Sequence, residues 1–216
     1  MLYSSVRRPN LPQVLRVTEI DPQAARDPFA LFRAWYREAE QAGQELPEAM
    51  SLATATGSGQ PGVRMVLLRG VTDTGFRFFT NYTSPKARTL DANPRAALCF
   101  YWHSLERQVR VEGNVARLGW ADSKAYFDTR PIGSRMGAWA SDQSRPIESR
   151  EELEDRVKAV TAKFEGQQPD LPPHWGGYEV TADRIEFWTG RQNRLHDRFV
   201  YTLMPDGDWD VTRLQP

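Results

Sequence analysis

The segments SLATAT (residues 51–56), GSGQPG (57–62), VRMVLLRGV (63–71), TDTG (72–75) and FRFFT (76–80) follow one another without a break. Short apolar runs separated by Gly-, Pro- and Asp-rich turns predict three antiparallel strands joined as a meander. The same rhythm returns further on. Residues 95–102, 107–118, 178–182, 184–189, 199–203 and 209–213 read as strands, the last two joined by PDGD at 205–208. Helical signals fall between them. Asp27 suits an N-cap, Pro28 the first helical position and Gly43 the position past the end of a helix whose apolar stripe is Phe29, Phe32, Trp35, Tyr36 and Ala39. Ser84 caps a short helix over 85–92, and residues 120–129 and 136–140 read as helical pieces. Ser149 with Glu152 forms a capping box that starts a long helix running towards Gly166. Residues 167–177 read as a Pro/Gly linker.

Many short antiparallel strands with a few helices predict a mainly β chain, a β-barrel with peripheral α-helices. Residues 27–216 read as a single domain. Residues 1–26 are Pro- and Arg-rich with weak periodicity and read as an N-terminal arm that orders only against something else.

Composition narrows the function. Basic and acidic residues balance at 28 each, which removes any general electrostatic case for nucleic acid or an anionic membrane. Anion binding must therefore come from local clusters. Cys99 is the only cysteine and lies in the apolar run 96–102, so it reads as a buried structural thiol. No signal-like N-terminus or membrane-length apolar run is present, and a soluble, cytoplasmic setting is expected. His103, His174 and His196 lack metal-ligand spacing, so no metal is expected. Residues 57–62 match GxGxxG formally, but a strand follows where the dinucleotide fingerprint needs a helix. They read as a hairpin turn.

Five stretches remain. Arg64 and Arg69 in RMVLLR cannot share a face of one regular strand unless a bulge or a strand end intervenes. In FTNYTSPK (79–86) a hydroxyl, the free amides of a helix start and a lysine converge, which suits a phosphate monoester. Gln108 in ERQVRVEG (106–113) offers an amide that could read a heterocycle edge. Tyr126, Arg130 and Ser134, with Gln143 and Ser144 beyond them, again offer phosphate donors. WTGRQNRLHDR (188–198) places three arginines and a histidine beside a tryptophan, between apolar runs. With no metal and no evident nucleophile, these sets point to a phosphorylated cofactor that carries the chemistry.

RMVLLRG, FFTNYTSPK, ERQVRVEG, YFDTRPIGSRMGAWASDQS, EFWTGRQNRLHDR and the terminal RLQP occur in the order in which similar motifs occur in the pyridoxamine 5′-phosphate oxidases. The chain resembles that family from about residue 27 to its end. The resemblance implies a split β-barrel, antiparallel and of the Greek-key, FMN-binding type, and a homodimer with FMN at the subunit interface. It implies oxidation of a phosphorylated pyridine substrate, pyridoxamine or pyridoxine 5′-phosphate, to pyridoxal 5′-phosphate, with dioxygen reduced to hydrogen peroxide. Matched by motif position, Arg64, Met65, Val66, Leu67, Leu68, Arg69, Phe79, Thr80, Lys86 and Gln108 would line FMN. Gln143, Ser144, Trp188 and Arg198 would reach it from the partner subunit. Arg69, Tyr126, Arg130 and Ser134 would hold the substrate phosphate, and Arg194 and His196 would contact the ring and reacting carbon as the catalytic pair. The chain departs from the pattern at Arg69, where Lys is usual, at Pro85, where Arg is usual, and in its N-terminal arm. Related flavin oxidases of the phenazine type, and a non-catalytic binder of FMN or pyridoxal phosphate, are the alternatives.

Overall fold

The computed structural model describes residues 25–216. Its nine strands form one antiparallel sheet: β1 (Ala49–Ala55), β2 (Pro61–Leu67), β3 (Gly70–Val71), β4 (Gly75–Asn81), β5 (Arg95–Trp102), β6 (Arg107–Arg117), β7 (Trp175–Thr189), β8 (Asp197–Leu203) and β9 (Trp209–Leu214). The helices are α1 (Pro28–Gln41), α2 (Pro85–Ala92), α3 (Trp120–Thr129), α4 (Ile132–Ala140) and α5 (Arg150–Lys163). The expected arm over 1–26 lies outside the described residues except at its end. There Ala25 packs on the core, and its carbonyl accepts a hydrogen bond from the Tyr201 hydroxyl at 2.9 Å.

The strand expected over 63–71 is two strands. Neighbours in the sheet run β2-β1-β5-β6-β7-β4-β3, with β8 added to β7 and β9 to β8. β2 and β3 therefore lie at opposite ends of the path, yet only Leu68 and Arg69 separate them. The Leu68 amide still donates to the Glu48 carbonyl at 2.8 Å, beside β1, while the Arg69 amide donates to the Arg77 carbonyl of β4 at 2.8 Å. Two residues span roughly 7 Å, so the sheet has to curl until its edges meet. The result is the half-closed barrel.

Other boundaries differ for local reasons. The runs 178–182 and 184–189 are parts of one long strand, β7. Its register against β6 shifts from Glu112↔Arg184 to Gly113↔Ala182, which leaves Asp183 as the extra residue of a bulge. Asp183 is ion-paired with Arg95. β7 also starts at Trp175, so residues 175–177 are strand and not linker. Helix α4 begins at Ile132, directly after Pro131, four residues earlier than expected.

Helix α1 supplies much of the core. The Asp27 side chain accepts from the Phe29 amide at 2.8 Å, Pro28 fills the first turn, and Gly43 takes φ +69° just past the end. Its buried Phe32 ring meets Phe76 at 4.8 Å and Phe100 at 5.0 Å. Burial of each such side chain contributes about 1.5–3 kcal/mol. No helix among the described residues is long and apolar enough to cross a membrane.

The β7 bulge requires close backbone approach. A Cβ on Gly113 would lie 2.0 Å from the Thr181 carbonyl oxygen. Gly113→Ala is expected to lower stability by roughly 1–3 kcal/mol, measured by urea denaturation; an unchanged midpoint would contradict this packing.

Candidate active site

The curled edges leave a cleft of about 660 Å³ between β2, the Leu68-Arg69 link, β4, the start of α2, the α3–α4 corner and the segment after α4. Arg64, Arg69, Lys86 and Arg130 line it, and no Asp or Glu among the described residues does. Positive charges gathered in a partly dry cavity without a lining carboxylate are unfavourable until an anion arrives. Because β2 ends at Leu67, Arg69 is released from strand alternation and reaches the same cleft as Arg64. This is the strand end that the spacing required.

One set of donors surrounds Lys86. Its ammonium donates to the Thr80 hydroxyl at 3.0 Å and to Gln143 Oε1 at 2.7 Å, and Thr80 also donates to Gln143 Oε1 at 2.9 Å. Burial, reinforced by the Arg64 guanidinium, pushes the Lys86 pKa down to about 8. Burial lowers that of Arg64 as well; Arg64 donates to the Leu52 carbonyl at 3.0 Å and the Thr54 hydroxyl at 2.9 Å. Lys86 sits in the first turn of α2, whose N-cap Ser84 accepts from the Ala87 amide at 3.4 Å. Pro85 occupies the first helical position and lines the cleft.

A second set faces it. Arg69 is 3.6 Å from the Glu48 carboxylate. Arg130 Nη1 is buried with no hydrogen-bond partner. Burial lowers the Arg130 pKa, and Arg69 adds to that shift against an opposing effect of Tyr126. The Tyr126 ring stacks on Phe79 with centroids 3.9 Å apart. The Ser134 side chain is exposed at the start of α4.

Most of the expected site residues meet here: Arg64, Met65, Val66, Leu67, Arg69, Phe79, Thr80, Lys86, Tyr126, Arg130, Ser134, Gln143 and Ser144. Gln143 and Ser144, assigned from the motifs to a partner subunit, line the cleft of their own chain. Ser144 holds φ +66°, a conformation costly for a residue with a side chain. Leu68 does not reach the cleft with its side chain, which is buried in the core.

Gln108, Trp188, Arg194, His196 and Arg198 are not part of the cleft lining. Register pairs Gln108 with Trp188 and Trp188 with Arg198, so the three share a row across β6, β7 and β8. Trp188 is thirteen positions beyond Trp175, the cleft end of β7, or roughly 40 Å at the rise of an extended strand. Arg198 donates to the buried Glu186 carboxylate at 2.8 Å, which raises its pKa, and to the Gln215 carbonyl at 3.1 Å. His196 lies 4.6 Å from the Trp188 ring, centroid to centroid, and its Nδ1 accepts the Arg191 amide at 3.0 Å. That bond leaves Nε2 as the outward nitrogen. Arg194 is exposed in a left-handed conformation, φ +62°, just after Asn193 at φ +56°. Arg191 pairs with Asp197 at 2.7 Å.

Two neighbours of the candidate site residues are given no role by the sequence motifs. Glu186 anchors Arg198; its alternation on β7 with Ile185 and Phe187 is the signal that it shares the face of Trp188. Trp175 lines the cleft but stands between Pro172-Pro173 and Gly176-Gly177, which made the stretch read as linker.

Comparison with known proteins identifies the family. A family profile described as pyridoxamine 5′-phosphate oxidase matches residues 36–164, and one described as the pyridoxine 5′-phosphate oxidase C-terminal dimerisation region matches residues 175–216. A pyridoxine/pyridoxamine 5′-phosphate oxidase of Cupriavidus necator is 53% identical over 196 residues, covering 91% of this chain and 92% of its own. One of Rubrobacter xylanophilus is 55% identical over 190 residues, covering 88% and 87%. Among solved structures, PhzG from Burkholderia lata 383, in complex with tetrahydrophenazine-1-carboxylic acid, superposes with a TM-score of 0.86 at 30% identity, covering 94% of this chain and 98% of that one. An FMN-binding protein of Nostoc punctiforme shares the fold at 18% identity and a TM-score of 0.72. With the first profile alone spanning more than half of its length, this chain belongs to the pyridoxamine 5′-phosphate oxidase family.

Proposed function

We propose that this protein is an FMN-dependent oxidase that converts pyridoxamine 5′-phosphate, pyridoxine 5′-phosphate or both to pyridoxal 5′-phosphate, as a homodimer with FMN at the subunit interface. The observation that carries this reading is the cleft with four cations and, among the described residues, no lining carboxylate, to which the named relatives add the substrate class. The residues present fit a phosphorylated cofactor. The half-desolvated Lys86 and Arg64, with Thr80 and Gln143, form one set of donors suited to a phosphate. Arg130, with an orphaned buried Nη1, and Arg69, Tyr126 and Ser134 form another.

In this reading the first set, with Met65, Val66, Leu67, Phe79 and Ser144, holds FMN, and the second holds the substrate phosphate. The chemistry that FMN supplies when bound is acceptance of a hydride from the substrate 4′ carbon and delivery of the electrons to dioxygen, which leaves as hydrogen peroxide. The chain's own residues bind and orient. Gln108, Trp188 and Arg198 come from the second copy, whose C-terminal strands match a dimerisation region. Arg194 pins the pyridine ring, and His196 presents Nε2 to the 4′ substituent because the Arg191 amide occupies Nδ1. An amine substrate leaves as an imine that water hydrolyses to the aldehyde. The phenazine-type alternative is less well matched, because two separate phosphate-sized donor sets serve a cofactor and a phosphorylated substrate.

The direct test is the purified protein's colour and its response to pyridoxamine 5′-phosphate. A yellow protein that releases peroxide and aldehyde is expected; a yellow protein that yields neither would identify a binder. Arg194→Ala is expected to lower turnover roughly hundredfold with FMN retained, and full turnover at saturating substrate would remove Arg194 from the reaction. The Lys86 shift sets a pH dependence. In the free cleft the ammonium loses its proton near pH 8, and a bound phosphate raises that pKa. Binding then takes up a proton above pH 8, so FMN affinity falls by up to about tenfold per pH unit as pH rises beyond that point. Fluorescence titration of FMN should show this slope in the native protein and not in Lys86→Met.

A further inference from the structure

Arg130 is the least satisfied cation of the cleft: its Nη1 is buried and makes no hydrogen bond. Its orientation must come from something other than polar partners. The guanidinium carbon stands 4.6 Å from the centroid of the Trp175 ring, and 5.8 Å from that of Phe127. Trp175 itself is packed among three aromatic rings. Its ring lies nearly parallel to Phe79 (5.6 Å, 15°) and to Tyr126 (6.2 Å, 10°), while Phe127 meets it at 65°. The strand behind it is pinned by close approach. A Cβ on Gly176 would fall 2.2 Å from the Tyr82 hydroxyl, and one on Gly177 would fall 2.7 Å from the Phe79 ring. Trp175 is thus an aromatic face laid against a guanidinium whose Nη1 has no hydrogen-bond partner among the described residues.

We propose that Trp175 is the positioning residue for Arg130, holding the guanidinium by its ring face so that the free Nη1 is presented to the substrate phosphate. This rests on the reading of Arg130 as a phosphate donor. A planar cation stacked on an indole is attracted by the ring quadrupole and loses rotational freedom before the ligand arrives. Without the ring, the same charge remains in the cleft but its fork is no longer aimed. Trp175 acts through Arg130 and needs no contact with the reacting carbon, so its effect falls on substrate affinity and not on the chemical step.

The test uses the FMN-loaded protein and two readouts, calorimetric binding of inorganic phosphate and the KM-against-kcat split for pyridoxamine 5′-phosphate. Trp175→Met fills the volume with a flexible, non-aromatic side chain. It is expected to weaken phosphate binding and raise KM about tenfold, with kcat within about twofold and FMN content unchanged. Trp175→Phe restores a ring face and should come within about threefold of the native protein. In an Arg130→Met background, Trp175→Met should cause no further loss of phosphate binding. Unchanged phosphate binding in Trp175→Met would overturn the proposal, as would a Phe variant no better than Met, or additive losses with Arg130→Met. If Trp175→Met does not fold, Trp175→Leu takes its place as the ring-free variant, with the same expected and overturning outcomes. Failure of the native protein to oxidise the substrate would sink the proposed function, while the phosphate calorimetry would still decide the role of Trp175.

Discussion

Two residues, Leu68 and Arg69, join strands that lie at opposite ends of the sheet's neighbour path. No other feature constrains the molecule as strongly. The Leu68 amide belongs to one edge and the Arg69 amide to the other, so the sheet must close upon itself, and closure forms the cleft. Glu48 ties the link from both ends: its carbonyl takes the Leu68 amide, and its carboxylate faces Arg69 at 3.6 Å. Leu68 turns into the core while Arg69 turns into the cleft, where it joins Arg64, Lys86 and Arg130. The same crossing that closes the barrel therefore sets four cations around one cavity. Their mutual repulsion and partial desolvation oppose folding without a ligand, and a phosphorylated ligand reverses the sign of that contribution.

Local signals in the sequence were enough for the starts of three helices and for the short turns. Asp27, Ser84 and Ser149 cap the helices they were expected to cap, and Gly43 takes the positive φ expected past the first helix. The turns expected at 57–62 and 72–75 do separate strands, although Pro61, Gly62 and Gly75 are already strand residues. The break at Leu68-Arg69 was not legible as such, because an unbroken apolar run suits one strand or two and the change of partner from β1 to β4 is a tertiary event. The need for it was nevertheless visible, since Arg64 and Arg69 could not otherwise serve one site. Asp183 looked like a gap between strands because a bulge interrupts alternation as a turn does. Trp175 was lost to the prolines before it and the glycines after it, although those glycines are what allow Phe79 and α3 to close on the strand.

The proposed site residues fall into two groups on one chain. The cleft group comes from β2, the link, β4, α2 and the α3–α4 region. The other group, Gln108, Trp188, Arg194, His196 and Arg198, stands on β6–β8 and the short connection between β7 and β8, with Glu186 holding Arg198 in place. β7 joins the groups and also keeps them apart, with Trp175 at one end and Trp188 towards the other. Gln143 and Ser144 belong with the cleft, so the division follows the fold and not the order of the motifs. If FMN and substrate touch both groups, each site must be built from two copies of the chain, and every member of the second group except Gln108 lies in residues 175–216, the segment that matches a dimerisation region.

Subunit complementation tests that claim most directly. Arg130→Met damages the cleft group and Arg194→Ala the other group. Each variant alone should be nearly inactive at a substrate level that saturates the native protein only moderately. In a mixed dimer, one site collects both defects and the other has neither. Co-expression with random pairing should then recover about a quarter of native activity per site. Activity no higher than that of the separate variants would show that each chain carries a complete site of its own, and would contradict the account.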